Sequence, residues 1–133
     1  MNLEGSQSSG SRKGTGFLGE NIAGHFLEGR GYKILARNYQ KPWGEIDIIA
    51  EKEGVIVFCE VKTNSKKFFG NNFNPELRVN PVKARHIIRT AELLMKSRFA
   101  GQERGWRIDI VAVTINSFSQ KAEIKHFKNA ITG

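Results

Sequence analysis

This 133-residue chain has little that could anchor it covalently or in a membrane. Its single cysteine, Cys59, excludes an internal disulfide framework and a cysteine-rich zinc site. The longest unbroken apolar run, Val55 to Cys59, falls far short of the roughly 20 residues of a membrane span. No basic-then-apolar stretch opens the chain, as a secretory signal would. These absences point to a cytoplasmic protein. Acidic residues are also scarce, 13 against 21 Lys and Arg, for a net charge of +8. That balance favours a polyanionic partner, although it carries no information about fold. Among the acids, Asp occurs only at Asp47 and Asp109. Both sit in apolar, strand-like runs, where Asp is disfavoured.

Enough remains to build one domain: 39% of residues are apolar and 26% charged, the composition of a folding chain. Residues 1–15 are rich in Ser and Gly without apolar period, and read as a flexible tail ahead of a single domain over 16–133. Phe17, Ile22, Ala23, Phe26 and Leu27 recur at three- and four-residue steps, predicting a helix from Gly16 to Arg30. Strands are predicted over Tyr32–Asn38, Gly44–Ala50 and Val55–Lys62, the last two joined by a turn centred on Lys52-Glu53. Thr63 to Asn80 is dense in Asn and Gly and reads as a long loop. Asn80-Pro81 supplies an N-cap and first-turn proline for a helix running to about Phe99. Strands over Trp106–Ile115 and Ala122–Lys128 complete the order α-β-β-β-α-β-β, an α/β domain with a mixed five-stranded sheet flanked by two helices.

The central hairpin has geometric consequences. A turn at Lys52-Glu53 sets Ala50 opposite Val55, Asp47 opposite Phe58, Glu45 opposite Glu60 and Trp43 opposite Lys62. Glu45, Asp47, Glu60 and Lys62 then share one face. Ile46, Ile48, Val55, Val57, Cys59 and Val61 form the other. Asp47 and Glu60 come within reach of a shared cation, and hard carboxylate oxygens suit Mg²⁺ or Mn²⁺. Such an ion polarises a phosphoryl oxygen and acidifies a bound water, while Lys62 beside it would stabilise charge on the phosphate. Glu45 is either an additional ligand or an ion partner for Lys62 or Lys41. Asp109 shares a face with Arg107 and reads as half of a structural ion pair.

An acid on the first helix, an Asp on the second strand and Glu-x-Lys on the third is similar to the pattern of the PD-(D/E)xK restriction-endonuclease-like superfold. More closely, Gly16-x-x-Gly19-Glu20, Gly31-Tyr32-x-Ile34-Leu35-x-Arg37-Asn38, Gly44-Glu45-Ile46-Asp47-Ile48-Ile49-Ala50 and Phe58-x-Glu60-Val61-Lys62 resemble the YraN-like family of uncharacterised bacterial proteins. That family lies near Holliday-junction resolvases on fold grounds, and the resemblance spans about Gly16 to Ala130. It implies metal ligation by Asp47, Glu60 and the Val61 carbonyl, catalysis by Lys62, and completion of the site by Glu20. Without the resemblance, Glu20 is equally an acid meeting the helix dipole. The sequence departs from the literal Pro-Asp motif, since Ile46 precedes Asp47.

Lys83, Arg85, His86 and Arg89 form a cationic ridge on the second helix, and Lys66 and Lys67 stand beside Phe68, Phe69 and Phe73 in the long loop. Charge with aromatic rings suits phosphate contact and base stacking; alternatively these Phe residues fold over the core or contact a second subunit of a homodimer. The expected activity is Mg²⁺- or Mn²⁺-dependent hydrolysis of phosphodiester bonds in DNA, branched or flapped. The rivals are a non-catalytic nucleic-acid-binding module and a binder of acidic proteins.

Overall fold

The apolar spacing, breakers and cap signals place each element in a computed structural model that describes residues 15–66, 79–116 and 118–132. Helix α1 spans Thr15–Gly29, followed by strands β1 (Lys33–Lys41), β2 (Gly44–Lys52) and β3 (Val55–Lys66). Helix α2 (Pro81–Ser97) then leads to β4 (Trp106–Asn116) and β5 (Lys121–Phe127). Asn80 caps α2 as its residue type suggests, its side-chain oxygen accepting the Lys83 backbone N–H at 2.8 Å. The tail assigned to residues 1–15 lies outside the described residues except for Thr15, which opens α1.

The five strands form one mixed sheet in the order β1-β2-β3-β4-β5, antiparallel except for the parallel β3–β4 pair. A parallel neighbour requires a crossover, and α2 supplies it. Both faces are covered, so the sheet is buried on both sides. Ile87, Ala91 and Leu94 of α2 pack with Ile49, Ile56, Phe58, Ile108 and Ile110. On the opposite face, Ala23 and Leu27 of α1 pack with Ile48, Ala50, Val57, Cys59 and Val111.

Three local expectations are corrected. The β2–β3 turn is the two-residue Glu53-Gly54, with left-handed φ of 52° and 81°, the turn geometry whose twist suits a tight hairpin. Lys52 therefore pairs with Val55, Ala50 with Val57 and Ile48 with Cys59. The whole register is shifted by two residues, so Asp47 is not opposite Phe58, Glu45 not opposite Glu60, and Trp43 not opposite Lys62. Because the shift is even, the paired residues keep their faces as far as Ile48 and Cys59, and continuing the register sets Asp47 across from Glu60. Next, β1 continues through Asn38, which takes a left-handed φ of 53° within the strand rather than ending it. Finally, β3 runs four residues beyond Lys62 into the segment expected to be a loop. Residues 67–78 of that segment lie outside the described residues.

The predicted apolar face is also broken at one point. Ile46 belongs to the α2-side core and Ile48 to the α1-side core, although residues two apart in a regular strand share a face. The interruption falls at Asp47, opposite Asn38. The pleat is thus irregular where the buried acid enters the sheet.

Close approach of α1 to β3 explains a glycine in a helix interior, where glycine is otherwise unfavourable. A Cβ built on Gly19 would lie 2.0 Å from Thr63 Oγ1 and 2.9 Å from Thr63 Cβ. Gly19→Ala should therefore push α1 off β3 and lower stability by about 1–3 kcal/mol, read as a lower urea midpoint with an unchanged slope.

Candidate functional site at the open end of the sheet

Beyond Ile48 and Cys59 the β2–β3 ladder gives way to a side chain. The Val61 backbone N–H, on the β2 side of its strand, donates to Asp47 Oδ2 at 2.8 Å. Asp47 thus replaces a backbone carbonyl in satisfying a buried amide, consistent with the need to pair every buried N–H. The separating strands leave a cleft of about 380 Å³, bounded by Glu20 on α1, Glu45 and Asp47 on β2, Glu60 and Lys62 on β3, and Lys83 on α2.

Asp47, Glu60 and Glu20 are 6%, 2% and 3% exposed, values rare for carboxylates. Glu60 is held by two ammonium groups: Lys83 Nζ lies 2.7 Å and Lys62 Nζ 3.3 Å from Oε2. Burial by itself lowers the tendency of Lys83 to carry charge. Its bond to Glu60, together with the charges of Glu60, Asp47 and Glu45, outweighs that effect and holds its pKa above the usual lysine value. Glu45 is exposed at the rim, where Gln40 Nε2 donates to it at 3.5 Å.

The cleft therefore gathers Glu20, Asp47, Glu60, Val61, Lys62 and Glu45, all singled out from the sequence. Lys83 joins them from α2. Expected on a phosphate-binding cationic ridge of the second helix, it turns into the cleft, because the α2 cap places it in the first turn, beside Glu60. Arg85 and Arg89 remain exposed on α2. Lys66 ends β3, while its side chain and all of Lys67 lie outside the described residues. The donor chemistry, several carboxylates on one cleft, fits a hard divalent cation. Among the described residues, however, no three His, Cys, Asp or Glu side chains are already gathered around a single point. Lys83 and Lys62 stand where Glu60 would otherwise be open to an ion.

Fold and cleft together define an α/β protein with a buried carboxylate–lysine site at the open end of a mixed sheet. The chain belongs to the family described as "Uncharacterised protein family UPF0102", which matches residues 19–113. This is the family to which the YraN-like motifs pointed. A UPF0102 protein of Desulforamulus reducens is 40% identical over 123 residues, covering 90% of this chain and 97% of its own length. Similar proteins from Alkaliphilus oremlandii and Clostridium botulinum (strain 657 / Type Ba4) are 37% and 36% identical over 118 residues. Each alignment covers 89% of this chain, and 97% and 94% of the respective relative. Among the described residues, no helix is long and apolar enough to cross a membrane.

The second Asp is built into a different environment. Asp109, fully buried, accepts from Arg107 Nε at 3.0 Å and from the Asn129 backbone N–H at 2.8 Å, and lies 2.7 Å from His126 Nε2. Arg107 also donates to the Tyr32 hydroxyl at 2.8 Å. The Asp–Arg pair expected from alternation is present; His126, which alternation could not connect, is brought in by the β4–β5 pairing. Cys59 lies nearby, and burial pushes its thiol well above the usual range, which removes it as a nucleophile. Burial alone would raise the Asp109 pKa, but the bonds from His126, Asn129 and Arg107 hold it below the ordinary carboxylate value. A depressed pKa stabilises the fold above the ordinary carboxylate pKa, and that contribution is lost as pH falls through the folded value. Asp109→Asn should cost about 3 kcal/mol near pH 7. The gap from wild type should close below about pH 4, as measured by urea unfolding at both pH values.

Proposed function

We propose that the cleft is a metal-dependent site for hydrolysis of phosphodiester bonds in nucleic acid, DNA being the expected substrate. The carrying observation is the placement of Asp47 and Glu60, both nearly inaccessible, side by side with Lys62 at the point where β2 and β3 part. Burying charged groups at the mouth of a cleft is costly for stability and is the arrangement expected where charge has work to do. The same acids match the PD-(D/E)xK pattern, which extends the reading by analogy.

Asp47 and Glu60 would hold Mg²⁺ or Mn²⁺, with the Val61 carbonyl as a further ligand, Glu20 completing the acidic wall and Glu45 at the rim. A bound ion of this kind polarises a phosphoryl oxygen and acidifies a water. Lys62 provides a fixed positive charge for a phosphate oxygen as negative charge builds on it. The chain's excess of basic residues, including exposed Arg85 and Arg89 one turn apart on α2, favours the approach of a phosphate backbone. Both helices begin near the cleft, so their positive ends favour the same anion.

One observation favours a second reading, a nucleic-acid-binding module without catalysis: Glu60 is already neutralised by two lysines. The two readings differ in what substitution does. On the hydrolytic reading, Asp47→Ala and Glu60→Ala each lower Mn²⁺-dependent cleavage of branched, flapped or single-stranded DNA by on the order of a hundredfold. Binding of the same DNA should persist. Wild-type protein that cleaves none of these substrates, or variants that cleave as well as wild type, would leave only the binding module. Lys83 should compete with the ion for Glu60. Lys83→Gln is therefore expected to tighten Mn²⁺ binding several-fold in a calorimetric titration, and Glu60→Gln to abolish it.

A further inference from the structure

A second concavity opens beside the cleft. It measures about 700 Å³ and is lined mainly by the β1–β2 turn (Pro42, Trp43) and the start of α2 (Pro81, Val82, His86). It shares Glu45 and Lys83 with the cleft, so the two adjoin. Trp43 is 44% and Val82 53% exposed, an unusual amount of apolar surface to leave beside so polar a site.

The tip that carries Trp43 is fixed in place. Lys41 pairs with Gly44 across a two-residue turn, and Pro42 restricts the backbone between them. Gly44 lies so close to α2 that a Cβ there would fall 2.4 Å from Thr90 Oγ1 and 3.1 Å from the His86 carbonyl oxygen. Thr90 is itself held by a 2.7 Å bond to that carbonyl. The indole therefore stands on a hairpin whose backbone is braced against a helix, which limits the backbone ordering that binding there would cost. Cations flank it, with Lys41 on the turn and Lys83 on the shared wall. Glu45, the acid common to both concavities, disfavours a phosphate at the wall itself and directs phosphates to the lysines on either side.

An apolar ring face bordered by ammonium groups, next to a cleft suited to phosphate, is complementary to one ligand chemistry: an unpaired nucleobase attached to a phosphate backbone. We infer that the Trp43 groove stacks a base of an unpaired strand whose neighbouring phosphate lies at Lys83 and Lys62. The substrate class is thereby single-stranded or locally unpaired nucleic acid rather than regular duplex. This inference rests on the reading of the cleft as a phosphodiester site.

The test uses the full chain with Trp106→Phe, so that Trp43 is the sole indole emitter. The probes are an oligothymidylate of about 12 nucleotides, the same backbone with every base removed, and a duplex of equal length. Oligothymidylate should quench Trp43 emission saturably, in step with binding followed by anisotropy of a labelled strand. The abasic strand and the duplex should leave that emission unchanged. Trp43→Ala should weaken oligothymidylate binding about tenfold without altering abasic binding, and Trp43→Phe should restore most of the loss. Unchanged emission at saturation, or equal weakening of thymidylate and abasic binding, overturns the inference. So does a fall from dimer to monomer on Trp43→Ala in sedimentation, which would assign the groove to a second copy of the chain. Mn²⁺-dependent cleavage assayed in parallel separates the two ideas. Stacking without cleavage removes the hydrolytic reading and leaves the groove, whereas cleavage with a silent Trp43 does the reverse.

Discussion

A carboxylate withdrawn from water needs opposite charge or hydrogen bonds around it, and at Glu60 that requirement organises much of the molecule. Glu60 is 2% exposed and is met by ammonium groups from two directions. Lys62 lies two residues along the same strand, so pleating alone brings it to the same face. Lys83 arrives from α2, and it does so because β3 and β4 run parallel and the chain must cross the sheet between them. The Asn80 cap sets where that helix begins, and hence that Lys83 occupies its first turn. Strand pairing, crossover and cap thus converge on one oxygen atom.

The neighbouring acid, Asp47, is accommodated by another device. It enters the sheet at an irregular pleat and bonds to the Val61 amide, taking over a connection that a backbone carbonyl would make in a continuous ladder. The strands part at the same place. One carboxylate thereby both ends the ladder and lines the space that opens. Local departure from the best sheet is the usual mark of a site that serves chemistry rather than stability.

Asp109 shows the contrasting case within the same sheet. Its hydrogen-bond partners among the described residues, Arg107, His126 and the Asn129 amide, all donate to the carboxylate and hold it ionised in the interior. The Asp109 side chain itself is fully enclosed, and its partners tie β4, β5 and the β1 entrance together through Tyr32. Two aspartates of similar sequence context therefore have different physical roles, one closing the core and the other bordering open space.

How much could be read from the chain alone follows from these distances. Element order, the mixed sheet and the co-facial grouping of Asp47, Glu60 and Lys62 are local properties, set by apolar period, caps and alternation, and all were legible. Alternation also paired Asp109 with Arg107. The register was not legible, because a hairpin of four polar residues admits turns of different length; only the left-handed backbone at Glu53 and Gly54 selects the two-residue form. An even shift kept the paired residues on their faces as far as Ile48 and Cys59 while each cross-strand partner changed, and only Ile46, beyond the irregular pleat at Asp47, crossed to the α2 side. The position of Lys83, the link from His126 to Asp109 and the bracing of Trp43 by α2 join residues far apart in the chain. Such contacts depend on how helices dock and which strands become neighbours, and no periodicity in the sequence encodes them. Sequence by itself determined which acids and bases share a face of the sheet. Tertiary structure decided which charges they meet there, because burial and charge pairing act through space rather than along the chain.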